Sequence, residues 1–172
     1  LIVFSGDPSA STGLTALPAA GGTVQKLTEA QEGSYHGAPA FTPDGRGITY
    51  AVYERLTDDQ PATAQFMLLS LDTGESVKLI DGGSTAMLTP SGHLVVQRQD
   101  SLWAAAFDAD QQRLISDPVP VLNGLYGPTP WKPYGLSADG TLVYLAGERS
   151  GDNRLVWVDR QGREEPLSAP PD

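Results

Sequence analysis

The chain has 172 residues, enough for one domain that buries roughly two thirds of its unfolded surface. Eleven basic and twenty-one acidic side chains give a net charge of −10. This balance argues against a nucleic-acid or anionic-membrane partner, because both require a basic surface. No insertion into a membrane is expected. The absence of cysteine excludes disulfides and thiolate metal sites.

A glycine-bearing turn recurs along the chain. Nineteen glycines and fourteen prolines disfavour helices and suit short strands joined by tight turns. The turn occurs three times at intervals of about 47 residues, as Thr42-Pro43-Asp44-Gly45, Thr89-Pro90-Ser91-Gly92 and Ser137-Ala138-Asp139-Gly140. Alternating apolar residues follow each copy, and no apolar stripe at helical spacing lasts for three turns. This repeat length is typical of propeller blades or a solenoid.

In chain order, the sequence predicts an all-β propeller of about four blades within a single domain over residues 1–172. Each blade is expected to be an antiparallel sheet of four strands, a to d, and the blades are predicted at about residues 1–28, 38–80, 85–122 and 134–167. In the second blade, strand a is predicted at residues 38–42 and strand b at residues 47–54. The first blade lacks strand a, which predicts a partial propeller or one closed by self-association.

Several motifs resemble those of a known family. The segment Phe41-Thr42-Pro43-Asp44-Gly45-Arg46 and the later Leu71-Asp72-Thr73-Gly74 resemble the WD40-like (PD40) repeat of TolB-type β-propellers. The segments Leu102-Trp103-Ala104-Ala105 and Val156-Trp157-Val158-Asp159 resemble propeller modules fused to bacterial serine/threonine protein kinases. The resemblance implies a ring of about six to eight blades in full-length relatives. It also implies a fragment of a larger multidomain bacterial protein and a location outside the cytoplasm, in the periplasm.

The closure of the ring has two alternatives. An open arc of four blades would leave apolar faces of its first and last blades uncovered. Two copies could pair as a homodimer, or as another homo-oligomer, into a ring of eight blades. A single chain could instead close as a small propeller of four blades. The incomplete first blade favours self-association.

Strand direction divides the connections between two faces. The tight a–b and c–d turns share one face, the turn face, whereas the long b–c and d–a connections share the other, the loop face. Binding residues commonly lie on long, variable loops. The predicted partner-binding residues are aromatic or histidine side chains placed at the loop face, the first two just before a strand: Tyr35, His36, Tyr126, Trp131 and Tyr134.

No constellation of residues predicts catalysis, a metal site or a cofactor. The two histidines, His36 and His93, are assigned to opposite faces. Asp44 and its counterparts are expected to fix turns by accepting backbone N–H bonds. Trp103 and Trp157, both on c strands, are expected to pack between blades.

The function most favoured by the sequence is a non-catalytic module for protein or peptide recognition, or for sensing. One alternative is a propeller-type hydrolase or lyase with its site at the central channel. Another alternative is a self-assembling structural unit with no other ligand.

Overall fold

The structure is a computed structural model that describes residues 1–6, 11–54, 64–126, 133–137, 139–147 and 154–166. Within these ranges the chain forms sixteen β-strands and no helix, so this part contains no helix that could span a membrane. The strands form four antiparallel sheets, which we number blade one to blade four in chain order. Except for β12, which pairs with β10, neighbours within each sheet follow each other along the chain, as expected for propeller blades.

The strands of the four blades have the following bounds. Blade one contains β1 (Ile2–Ser5), β2 (Leu14–Leu17) and β3 (Gln25–Lys26). Blade two contains β4 (Ser34–Phe41), β5 (Gly47–Glu54), β6 (Ala64–Ser70) and β7 (Ser76–Asp81). Blade three contains β8 (Thr85–Leu88), β9 (His93–Arg98), β10 (Ser101–Asp108), β11 (Arg113–Leu114) and β12 (Val119–Leu122). Blade four contains β13 (Tyr134–Leu136), β14 (Leu142–Ala146), β15 (Arg154–Val158) and β16 (Glu164–Pro166).

Side-chain alternation in the strands joins each blade to its neighbours. In β5, Ile48 and Tyr50 pack with Leu14 of blade one, whereas Ala51 packs with Val96 of blade three. This arrangement follows from the period of two in a strand, which sends successive side chains to opposite faces. A sheet with apolar residues on both faces requires a neighbour on each side.

The hydrophobic core is divided among the three junctions between blades. The junction of blades one and two is filled by Leu14, Ile48, Tyr50 and Leu69. Two clusters fill the junction of blades two and three, built on Ala51, Ala64, Phe66 and Val96 and on Leu68, Leu88 and Leu94. The junction of blades three and four contains Leu102, Leu125, Tyr134, Tyr144 and Val156.

The recurrent turn has a common construction. In blade two, Gly45 has a φ of 71°, and its N–H donates to the carbonyl of Thr42 at 2.9 Å. The hydroxyl of Thr42 accepts from the N–H of Gly47 at 2.9 Å, and Asp44 Oδ1 accepts from the N–H of Arg46 at 3.1 Å. Glycine tolerates this positive φ without steric cost, and the side-chain oxygens satisfy backbone donors that the turn leaves free.

Two predicted boundaries differ from the structure. Strand a of blade two begins at Ser34 rather than at Ala38, so the prediction that Tyr35 and His36 precede this strand is wrong. The strand continues past Gly37 because a β-bulge, with Ala38 at a φ of 50°, accommodates one extra residue of β4 opposite β5. The outer strand of blade three is divided into β11 and β12, both paired with β10.

The outer faces of the two terminal blades carry exposed apolar side chains, and no further sheet covers them among the described residues. In blade one, Ile2 is 51% exposed and Phe4 is 41% exposed. In blade four, Trp157 lies directly across from Val143 and is 47% exposed. Trp157 therefore does not pack between blades of this chain, contrary to the prediction, because no fifth sheet follows blade four among the described residues.

Candidate functional site

Tyr35 lies at the loop-face end of blade two. It is directly opposite Tyr53 of β5, and the two rings stack with their centroids 4.9 Å apart. Burial raises the pKa of both phenols above the usual range, and it is the largest cause in each case. The rings are therefore neutral at physiological pH and provide apolar surface and hydrogen-bond donors rather than a general base.

A series of contacts connects this stack with blades three and four. The hydroxyl of Tyr53 donates to the carbonyl oxygen of Ser84 at 3.3 Å. The next residue, Thr85, donates from its hydroxyl to the phenolic oxygen of Tyr134 at 3.1 Å. Burial raises the pKa of Tyr134 to about 12, so this phenol is also neutral. Two predicted site residues, Tyr35 and Tyr134, thus belong to one contact series that crosses three blades.

The side-chain hydroxyl of Ser84 lies next to this series of contacts. Its Oγ is buried and has no hydrogen-bond partner among the described residues. The preceding Gly83 has a φ of 121°, and a Cβ there would lie 2.7 Å from the carbonyl oxygen of Gln97. Only glycine fits so close to the neighbouring strand at this φ. A buried hydroxyl without a partner is unfavourable for stability, because its desolvation is not compensated.

His36 points to the opposite side of β4 from Tyr35. It is 7% exposed, with its Nδ1 2.7 Å from the hydroxyl oxygen of Thr28 and its ring centroid 5.0 Å from that of Tyr50. The Thr28 oxygen also accepts from the N–H of Leu14 at 2.8 Å. Burial lowers the pKa of His36. The structure therefore directs this ring into the junction of blades one and two.

The remaining predicted site residues differ in placement. Tyr126 is half-buried, and its N–H donates to the carbonyl of Leu145 in blade four at 2.8 Å. Its neighbour Leu125 is fully buried in the junction of blades three and four. Trp131 lies outside the described residues. His93 is exposed at the start of β9, next to the turn face, so it does not approach His36.

A pocket that sequence reasoning missed lies on the turn face between blades two and three. Its volume is about 220 Å³, and it opens above the apolar side chains of Leu68, Leu88 and Phe107. The turns that begin at Thr42 and Thr89 form its walls. The recurrence of these turns was visible in the sequence, but the gap between two of them depends on how the blades pack.

Acidic and histidine side chains do not assemble into a metal site in the part of the chain that the structure describes. No group of three or more His, Cys, Asp or Glu residues there is placed to hold a metal ion.

The chain resembles solved propellers in structure. A putative TolB from Agrobacterium tumefaciens matches with a TM-score of 0.58 and 20% identity, over 91% of this chain and 56% of that protein. An oligogalacturonate lyase in complex with manganese matches at 0.59 and 14% identity, over 83% of this chain and 39% of the lyase. A puromycin-hydrolyzing peptidase from Mycobacterium tuberculosis matches at 0.56 and 15% identity, over 91% of this chain and 35% of the peptidase. No protein-family model and no curated protein matches the chain.

The fold is therefore that of a β-propeller, as the sequence predicted, and these neighbours include TolB-like and enzymatic propellers. The chain spans about 35% to 56% of the three solved proteins. Propellers with such low identity share architecture, and the fold alone does not assign an activity.

Proposed function

We propose that this chain is a non-catalytic module of a bacterial β-propeller protein, active outside the cytoplasm, which recognises a protein or peptide at its loop face. The observation that carries the proposal is the Tyr35–Tyr53 stack at the loop-face end of blade two. Tyrosine rings supply rigid contact area and are enriched among the residues that dominate binding. The TolB-like neighbour supports the location.

Two variants on one strand test the proposal. Tyr35→Ala removes the stacked ring at the loop-face end of β4, whereas Phe41→Ala removes an exposed ring, 44% accessible, at the turn-face end. Immobilised full chain is used to capture proteins from a bacterial lysate, and each captured protein is then purified and titrated calorimetrically. We expect a partner that binds the original chain and the Phe41 variant equally, and the Tyr35 variant at least about tenfold more weakly. If no protein shows this difference, the proposal is wrong.

Catalysis is the second candidate function, because two structural neighbours are a lyase and a peptidase. The test is incubation of the full chain with oligogalacturonate, with and without Mn²⁺, and separately with puromycin. We expect no product above the protein-free control in either assay. Turnover that scales with protein concentration would overturn the non-catalytic assignment.

We also propose that a second copy of the chain covers the open faces, with blade four of each copy against blade one of the other. The exposed Ile2, Phe4 and Trp157 support this arrangement, because apolar residues on both terminal faces require neighbours. In sedimentation velocity, Trp157→Asp should convert a dimer into a monomer. Val121→Asp, at a residue 57% exposed on the outer strand of blade three, should leave the dimer intact. A monomeric original chain would exclude this closure.

A further inference from the structure

The pocket on the turn face has the dimensions of a single side chain. Its volume of about 220 Å³ exceeds the roughly 150 Å³ of an engineered apolar cavity that holds benzene. It is smaller than the roughly 300 Å³ at which sites for whole drug-sized molecules begin. A ligand can therefore place one apolar group inside, while the rest of the ligand must lie along the rim.

The base of the pocket is apolar and belongs to the core. Leu68 and Leu88 are 2% and 6% exposed, and both belong to the cluster that joins blades two and three. Phe107 of β10 packs against this cluster from the side. A buried apolar base favours an aliphatic or aromatic group, because burial of apolar surface is the main favourable term.

Two charged residues, Asp44 and Arg46, line the rim of the pocket, and further charged residues lie beyond the lining. Arg46 donates from Nε and Nη2 to Asp72 Oδ2 at 3.0 and 2.6 Å, so this pair is neutral. Asp44 accepts from the Thr42 hydroxyl and then from the backbone N–H of Arg46, and both bonds lower the pKa of its carboxyl. Asp110, from the turn of blade three, also acts electrostatically on Arg46.

The charges around the rim do not cancel. Asp108 and Arg113, paired across β10 and β11, contribute one charge of each sign. With Arg46 paired to Asp72, the carboxylate of Asp44 on the rim and that of Asp110 beyond the lining are therefore not balanced by cations, on a chain whose net charge is −10. A cation on the ligand would be attracted both locally and by the field of the whole chain.

We infer that the pocket between Asp44, Leu68, Leu88 and Phe107 binds a peptide that inserts one apolar side chain and places a lysine or arginine beside it at the rim. This site lies on the opposite face from Tyr35 and is independent of the proposed loop-face recognition. The pocket supplies the apolar contact, and Asp44 and Asp110 supply selectivity for a basic neighbour.

Three capped dipeptides test both parts of the inference by nuclear magnetic resonance titration of the full chain: acetyl-Phe-Arg-amide, acetyl-Phe-Glu-amide and acetyl-Gly-Arg-amide. We expect acetyl-Phe-Arg-amide to shift the methyl signals of Leu68 and Leu88 in a saturable manner. The Glu peptide should bind about tenfold more weakly, because its charge is repelled. The Gly peptide should not shift these signals.

The charge contribution is isolated by a double variant and a matched control. Asp44→Asn with Asp110→Asn keeps a side-chain oxygen at the Asp44 turn and should reduce the tenfold preference for the Arg peptide to the small remainder that the net charge of the chain supplies. Asp139→Asn alters the equivalent turn of blade four, where Asp139 accepts from the N–H of Thr141 at 3.2 Å, and should keep the tenfold preference. The inference is overturned if the double variant keeps the full tenfold preference, or if the Gly and Phe peptides behave alike. It is also overturned if the shifts lie elsewhere on the chain.

Discussion

The c strands of blades two and four each carry a large aromatic residue, and these two residues differ in solvent exposure. Phe66, on strand c of blade two, is 2% exposed and packs with Val96 of blade three. Trp157, on strand c of blade four, is 47% exposed. Both strands carry a large aromatic residue on the side away from blade one, and among the described residues only the first of them is followed by another sheet. The burial of a blade residue therefore depends on the neighbouring blade more than on its own strand.

The largest effect should come from truncating the buried aromatic residue. Phe66→Ala should lower the free energy of unfolding by about 3–5 kcal/mol, because it removes a buried ring and leaves a cavity. Trp157→Ala should lower it by about 0.5 kcal/mol or less when the chain is monomeric, because nearly half of the side chain already contacts solvent. Urea denaturation measured by circular dichroism gives both values.

The difference in unfolding free energy between these two variants should depend on the protein concentration. If a second copy covers blade four, the cost of Trp157→Ala should grow as the concentration increases, whereas the cost of Phe66→Ala should change less. Equal costs for the two variants at the lowest concentration would show that blade four is covered without a second copy, and the comparison would fail.

The next largest effect concerns two glycines with positive φ. At Gly83, a Cβ would lie 2.7 Å from the carbonyl oxygen of Gln97 and 2.8 Å from Val96 Cγ2. At Gly162, in the last described turn of blade four, φ is 78° and a Cβ would meet no atom within 4 Å. Gly83→Ala should therefore cost about 3 kcal/mol, because backbone strain and a clash with the neighbouring strand combine. Gly162→Ala should cost about 1 kcal/mol from strain alone.

Thermal unfolding of the two alanine variants, compared with the original chain, measures the difference. A cost at Gly162 as large as that at Gly83 would mean that the turn of blade four is as tightly enclosed as the interior junction. That result would contradict the open surroundings that the structure shows for Gly162, where an added Cβ meets no atom within 4 Å.

The propeller architecture was predictable because its signals are local. Gly45, Gly92 and Gly140 adopt the positive φ values of 71°, 74° and 87° that their turns require. Asp44 and Asp139 both accept backbone N–H bonds within their turns, as the sequence indicated. A turn is specified by a few adjacent residues, so its recurrence at a fixed interval reveals the repeat.

The candidate site was less predictable because it depends on contacts between distant segments. The sequence placed Tyr35 and His36 before a strand, whereas the bulge at Ala38 lets the strand begin at Ser34. The unpaired hydroxyl of Ser84 cannot be recognised in the sequence.

The smallest expected effect is a pH dependence at the junction of blades one and two. Burial lowers the pKa of His36 from its ordinary value of 6.5, so protonation favours the unfolded chain. Stability is unaffected well above this value, decreases as the pH falls through about 6.5, and stops decreasing below the lowered pKa. The penalty is limited because the hydroxyl of Thr28 can accept a hydrogen bond from the protonated ring after it rotates.

Urea denaturation between about pH 7 and pH 5 measures this dependence, with two variants as controls. His36→Asn retains an acceptor near the Thr28 hydroxyl but cannot titrate, so its slope over this range should be smaller than that of the original chain. His93→Asn, at an exposed position next to the turn face, should leave the slope unchanged. If removal of His93 flattens the profile and removal of His36 does not, the buried ring in the interior junction is not the group that responds to acid. The difference between buried and exposed residues would then not apply to the pH dependence of stability.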